Sequence, residues 1–387
     1  MVTISKELFY EKISQDVKCT VIHYWSKNCA GGAFSPYVIK NIIVGAGTFF
    51  LPVYLLRMYL DYKRKNKNVV KRFVLNEIRA ILYGISLGGT LIMNICLFKK
   101  LFGRIHYYNL IFMPAFISGF SLLIVSHENQ VLNTLLFFNS FIETLLNKWG
   151  ISSNKEVFLF MGLSGMLMYL LENRTEKIDF TYFWFYTPPL REHSLEEIKN
   201  SCQHEATCQS NIFNGALNYF LVGYGINATR SFLSNFKILP KYPRKFFQIL
   251  FNKSNLTFGL FIGAYVGIYK FISCYLPKFN KIKKKWHGLI SGILAGCTYI
   301  ISPTLQVTVL AITTILQILY DIISKKFKIT NHFYQRLLIF SFTHAYNLHN
   351  KFFFPETASM YYFKMVDACT NNVTKGIYEN LISKYFM

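Results

Sequence analysis

The chain has 387 residues, with 42 Lys and Arg against 19 Asp and Glu, and a formal net charge of +23 at pH 7. Apolar residues make up 52% and charged residues only 16%, where a soluble domain carries about 25% charged, so an ordinary soluble enzyme and a disordered scaffold are both excluded. The positive charge does not mark a nucleic-acid binder, because the basic residues fall in short clusters between long uncharged runs, as in membrane proteins.

Residues 1–18 alternate Lys6, Glu7, Glu11, Lys12, Asp16 and Lys18 with Ile4, Leu8, Ile13 and Val17. They read as a short amphipathic helix without the apolar core of a signal peptide. A spanning helix needs roughly 17–25 mostly apolar residues. Uncharged runs near that length follow at 41–56, 80–98, 105–127, 129–142, 157–171 and 206–229. Others lie at 254–277, interrupted by Lys270, at 286–320, which Ser302-Pro303 divides in two, and at 337–350. The shorter runs read as short, tilted, re-entrant or buried helices. The expected fold is an all-α membrane protein of about ten hydrophobic helices.

Displacing the chain by about 178 residues brings Cys29 onto Cys208, Gly45 onto Gly223, Gly84 onto Gly263, Gly89 onto Gly267 and Cys96 onto Cys274. Glu143 falls on Asp321, Lys148 on Lys326, and the run 157–171 on 337–350. This predicts two duplicated halves of five segments: an amphipathic start at 1–18, a first membrane repeat at 19–190, a linker at 191–201, a second repeat at 202–370 and a tail at 371–387. Five crossings per half give an inverted repeat, as in many transporters; one re-entrant segment gives parallel halves. Basic residues flank segments two and seven on both sides, so charge does not choose.

Small residues recur every fourth position, as Gly84 and Gly88 after Ala80, then Gly259, Gly263 and Gly267, then Gly288, Gly292 and Gly296. That spacing lines one helix face and points to close helix packing in lipid; the other reading is the wall of a translocation path.

Polar residues among the apolar runs carry the remaining signals. Cys19, His23 and Cys29 precede the first segment, and Cys202, His204 and Cys208 precede the sixth. Each element reads as structural thiols, a disulfide or a metal site, but three ligands fall one short of structural zinc, and no metal or other cofactor is expected. Cys96, Cys274 and Cys297 read as core thiols. Lys270 is either an intramembrane cation with a function or a stem that snorkels to the interface. His344 and Asn347 stand three residues apart and are the one hint of catalysis. With no phosphate loop, dinucleotide fingerprint, nucleophile elbow or zincin helix, no catalytic residue is assigned and the chain reads as a non-enzyme.

The stretch LFNKSNLTFGLFIGAYVGIYK at 250–270, then Ser273-Cys274, then HGLISGILAG at 287–296, resembles the transmembrane protein 135 family. The Cys-His-Cys elements at 19–29 and 202–208 are similar to that family's cysteine-containing starts of each half. The glycine spacing also resembles channel-type subunits of mitochondrial inner-membrane import translocases. The first resemblance implies a multi-pass protein of mitochondrial and peroxisomal membranes. It implies a role in promoting mitochondrial fission through the dynamin-related GTPase, and in peroxisome organisation or lipid metabolism. Implied partners are membrane lipids, the fission GTPase and the peroxisomal membrane-protein import machinery, with no nucleic acid. The alternative drawn from the repeat and Lys270 is a transporter or lipid-translocating channel.

Overall fold

Long uncharged runs can satisfy their backbone polar groups only internally, and helices do so within one segment. The computed structural model describes residues 3–12, 18–63, 68–151, 153–174, 184–188, 207–235, 244–278, 286–328 and 332–385. Among the described residues there is no strand, and helices follow one another along the chain. The first eight are α1 (Lys6–Lys12), α2 (Cys19–Ile22), α3 (Cys29–Ala33), α4 (Pro36–Lys63), α5 (Val69–Phe102), α6 (Tyr107–Leu110), α7 (Phe112–Ser118) and α8 (His127–Lys148). Next come α9 (Ser153–Glu172), α10 (Cys208–Asn235), α11 (Arg244–Leu250), α12 (Lys253–Tyr275), α13 (His287–Gly296) and α14 (Leu305–Lys326). The last three are α15 (His332–Phe353), α16 (Met360–Cys369) and α17 (Val373–Tyr385). Tight 3₁₀ turns extend α7 over Gly119–Ile124 and α13 over Cys297–Ile301.

The ends follow local chemistry. Pro36 opens α4 at a position where its missing N–H costs nothing. Gly103, at φ +69°, closes α5 in the left-handed conformation that glycine adopts without strain. The Ser302-Pro303 break falls between the turn Cys297–Ile301 and α14.

Five helical stretches among the described residues are long and apolar enough to cross a membrane: Gly31–Lys63, Val69–Phe102, Tyr107–Ile124, Phe246–Tyr275 and Leu305–Lys326. The stretch His287–Ile301 is apolar but shorter. The other expected segments lie in α8, α9, α10 and α15.

The chain forms two compact units. One joins Met1–Gly150 to Ile329–Met387, and the other is Ile151–Lys328. These borders do not follow the expected division at 190–202; the expected linker at 191–201 lies outside the described residues.

In the first unit, α15 packs on α7, its 3₁₀ extension and α8, while α4 packs on α5. The N-terminal segment is anchored by burial: Ile4 donates its N–H to the Phe353 carbonyl at 2.8 Å, and Phe9 stacks edge-on to Tyr107 and Phe353. His344 lies between the Tyr362 hydroxyl at 3.2 Å and the Ser118 hydroxyl at 3.4 Å, and Asn347 donates to the Phe137 carbonyl. Both are buried within the packing of α15. Lys351, 2% exposed, is ion-paired with Asp367, which also accepts from Thr374. Such a buried pair is costly to break, because either partner alone would be an uncompensated charge.

In the second unit, α10 packs on α12, and α9 packs on α13, its 3₁₀ extension and α14. Polar groups on α9 meet buried tyrosines. Ser164 lies 2.7 Å from the Tyr265 hydroxyl, Tyr269 donates to Glu172 at 2.6 Å, and Tyr299 donates to Glu156. Buried hydroxyls need such partners.

Candidate metal centre

Cys19 opens α2 and His23 follows its last residue as the C-cap, four positions on. The His23 N–H bonds back to the Cys19 carbonyl at 3.0 Å. The chain then turns through Ser26 and Asn28 and starts α3 at Cys29. Cys96 arrives from the C-terminal part of α5, three residues before Lys99.

These four residues converge. One ligand atom from each of Cys19, His23, Cys29 and Cys96 lies within 4.8 Å of all the others. A tetrahedral zinc with bonds of about 2.3 Å to sulfur holds its sulfurs about 3.8 Å apart, so a small contraction closes the set. Cys29 is exposed, Cys19 half-buried, and His23 and Cys96 buried.

The imidazole is oriented as a ligand. Its Nδ1 lies 2.8 Å from the Ser26 carbonyl, which accepts only from a protonated nitrogen. That fixes the tautomer and leaves Nε2 as a lone-pair donor, and Nε2 is buried with no hydrogen-bond partner. Metal-bound histidines are held in this way by a carbonyl or carboxylate on the far nitrogen. The ring rests on Gly32, where a Cβ would meet His23 Cγ at 2.6 Å, and Trp25 donates its indole N–H to the Gly32 carbonyl at 2.9 Å. Only glycine permits that approach.

The sulfurs are prepared as well. A hydrogen bond from the Cys96 thiol, seconded by one from Cys29 and by the nearby charge of Lys99, outweighs burial and lowers the Cys19 thiol to about 5. Thiolate, not thiol, binds metal. Three sulfurs and one nitrogen suit zinc, and four protein ligands make the closed coordination of a structural site.

The sequence reading found three of these ligands and assigned Cys96 to the helix core. Cys96 adds a fourth donor atom within reach of the other three. Cys19 and Cys29 are not disulfide-bonded. A signal in the sequence is that Cys29 and Cys96 each have a second cysteine nearly the same distance on, Cys208 at 179 residues and Cys274 at 178.

The other assigned residues lie elsewhere. Gly84 and Gly88 face Ile42 of α4. Gly259, Gly263 and Gly267 face Ala216 and Phe220 of α10, and at Gly263 a Cβ would sit 2.7 Å from the Ala216 carbonyl. Gly288, Gly292 and Gly296 face Met168, Ser164 and Met161 of α9. Lys270 Nζ donates to the Asn211 side-chain oxygen at 2.9 Å and its backbone oxygen at 3.3 Å. Cys208 is half-buried at the start of α10. Cys202 and His204 lie outside the described residues. No family model matches this chain, and no solved structure matches it.

Proposed function

We propose that this chain is a non-enzymatic, multi-pass membrane protein in which Cys19, His23, Cys29 and Cys96 hold one structural zinc ion. The observation that carries the reading is the convergence of four soft donors with a buried, carbonyl-oriented imidazole whose Nε2 has no other partner. The metal clasps the N-terminal segment to α5, which is 34 residues long, about 51 Å at 1.5 Å per residue against a hydrocarbon core of about 30 Å. The clasp lies toward the end of that helix, beside Lys99 and Lys100. Cys29 gives the test. Zinc should protect it from an impermeant alkylating reagent, a chelator should restore labelling, and Cys96→Ser should abolish protection. Equal labelling with and without zinc contradicts the reading.

We also infer a duplicated architecture of ten hydrophobic segments, supported by the alignment of elements. His127 to Leu305 and Lys148 to Lys326, the ends of α8 and α14, are both steps of 178 residues. The 3₁₀ turns at Gly119 and Cys297 start the same distance apart. The fifth helices α9 and α15 also correspond, and each packs with the third and fourth helices of the other copy. The copies have therefore exchanged their last helices.

The cellular role that the resemblance suggests is in mitochondrial and peroxisomal membranes, promoting fission through the dynamin-related GTPase and supporting peroxisome organisation or lipid metabolism. Removing the gene should elongate mitochondria, and unchanged morphology would count against that role.

A further inference from the structure

The three sulfurs of the metal centre do not share one exposure. Cys29 is exposed, Cys19 half-buried and Cys96 buried, and their Sγ atoms all lie within 4.8 Å of one another. None of them is disulfide-bonded. A small oxidant from solvent therefore meets Cys29 first, and a thiol oxidised there has a second thiol within reach. That arrangement turns oxidation into a reversible disulfide rather than an over-oxidised acid.

The backbone decides which sulfur completes the pair. A disulfide brings its sulfurs to about 2.05 Å, so the segments carrying them must close by up to about 3 Å. Cys19 opens α2, which has four residues, and Cys29 opens α3, which has five. Between them the chain turns at Ser26, whose hydroxyl donates to the Asn28 carbonyl at 3.0 Å and accepts from the Asn28 N–H at 3.3 Å. Two short helices joined by such a turn can close on each other. Cys96 sits inside the 34 residues of α5, where shifting one residue breaks hydrogen bonds to the turns before and after it.

We propose that Cys29 and Cys19 form an oxidation site for small hydroperoxides, at which a disulfide between the two displaces the metal and unfastens the N-terminal segment from α5. The disulfide rests on the sulfur geometry alone; the loss of a metal rests on the zinc reading. The Cys29 thiolate attacks one oxygen of the hydroperoxide, the O–O bond breaks, and Cys29 becomes a sulfenic acid while the departing oxyanion takes a proton from water. The Cys19 thiolate then attacks the Cys29 sulfur. The S–S bond forms, the S–O bond breaks, and hydroxide leaves to be protonated to water. The two sulfurs supply the two electrons that reduce one hydroperoxide. His23 and Cys96 remain, half of the four donors that a closed zinc site takes, and Cys96 alone among the sulfurs still belongs to α5. A dithiol reductant reverses the change.

The test treats the full chain, purified in detergent with Zn²⁺ supplied, with hydrogen peroxide. Released zinc is read with a chromogenic chelator, and disulfides are located by mass spectrometry of unreduced peptides. One zinc ion per chain should be released as one Cys19–Cys29 disulfide forms, and dithiothreitol should restore both thiols and zinc binding. Zinc retained with Cys19 and Cys29 still thiols overturns the inference and leaves the zinc reading standing. Cys29 carried to a sulfinic acid with Cys19 unpaired, or a disulfide from Cys29 to Cys96, overturns it as well. The Cys19–Cys29 disulfide in a chain that binds no zinc overturns the zinc reading and leaves the oxidation site standing. Dimedone traps the intermediate: it should label Cys29 at least tenfold more in Cys19→Ser than in the wild type, and equal labelling overturns the role of Cys19.

Discussion

At the scale of single residues, the centre depends on a division of protons among groups that ordinarily keep them. Cys19 ionises at about 5 in the folded chain against an ordinary thiol value of 9.0, chiefly because Cys96 donates to it. The sign follows from linkage: a depressed folded pKa gives stability that is fully present above the unfolded value and is lost as pH falls through the folded one. The contribution of Cys19 is thus complete above about pH 9 and gone below about pH 5. In the metal-free chain at pH 6, Cys19 should be mostly thiolate and should alkylate faster than an ordinary thiol. Mass spectrometry of labelled peptides over pH 4–8 checks this, with the Cys19 rate expected to fall only near pH 5; a rate still rising through pH 8 would contradict it. Cys19, His23 and Cys29 could be read from the sequence because they lie within eleven consecutive residues. Cys96 could not, because its role depends on α5 folding back beside them, and a cysteine in an apolar run looks like any core thiol.

Among helices, small-residue spacing set where backbones meet. The three glycines of α12 lie against α10, and those of α13 against α9. Lipid supplies little drive for helix association, so contact at these seams carries it. Gly263→Leu would force a side chain into the Ala216 carbonyl, 2.7 Å from where its Cβ would stand. Overpacking of this kind costs about 1–3 kcal/mol. The variant should lower the unfolding midpoint in detergent, whereas a substitution at Gly225, which has nothing within 4 Å, should leave it near wild type. The spacing was legible in the sequence, but the partners were not. Gly288, Gly292 and Gly296 meet α9, which the chain order assigns to the other half. Periodicity identifies a packing face and says nothing about which helix fills it.

Across the whole molecule, charge-poor composition and long apolar runs were enough to give a helical chain with membrane-length segments. Five described stretches meet that length and apolarity. The remaining segments interleave Asn, Ser, Thr and Glu that face buried tyrosines and carbonyls, as Glu156, Ser164 and Glu172 do along α9. A hydropathy count sees those polar groups as interruptions, while the fold uses them as helix-to-helix contacts. The unit borders at 150 and 328 follow from which helices pack together in space, which the order of segments along the chain does not record. In the proposed centre a metal joins the N-terminal segment to α5 through three sulfurs and one nitrogen. Zinc-edge X-ray absorption on the purified full chain measures that coordination directly. The expected result is three sulfur neighbours at about 2.3 Å and one nitrogen at about 2.0 Å; a shell of oxygen and nitrogen alone would contradict it.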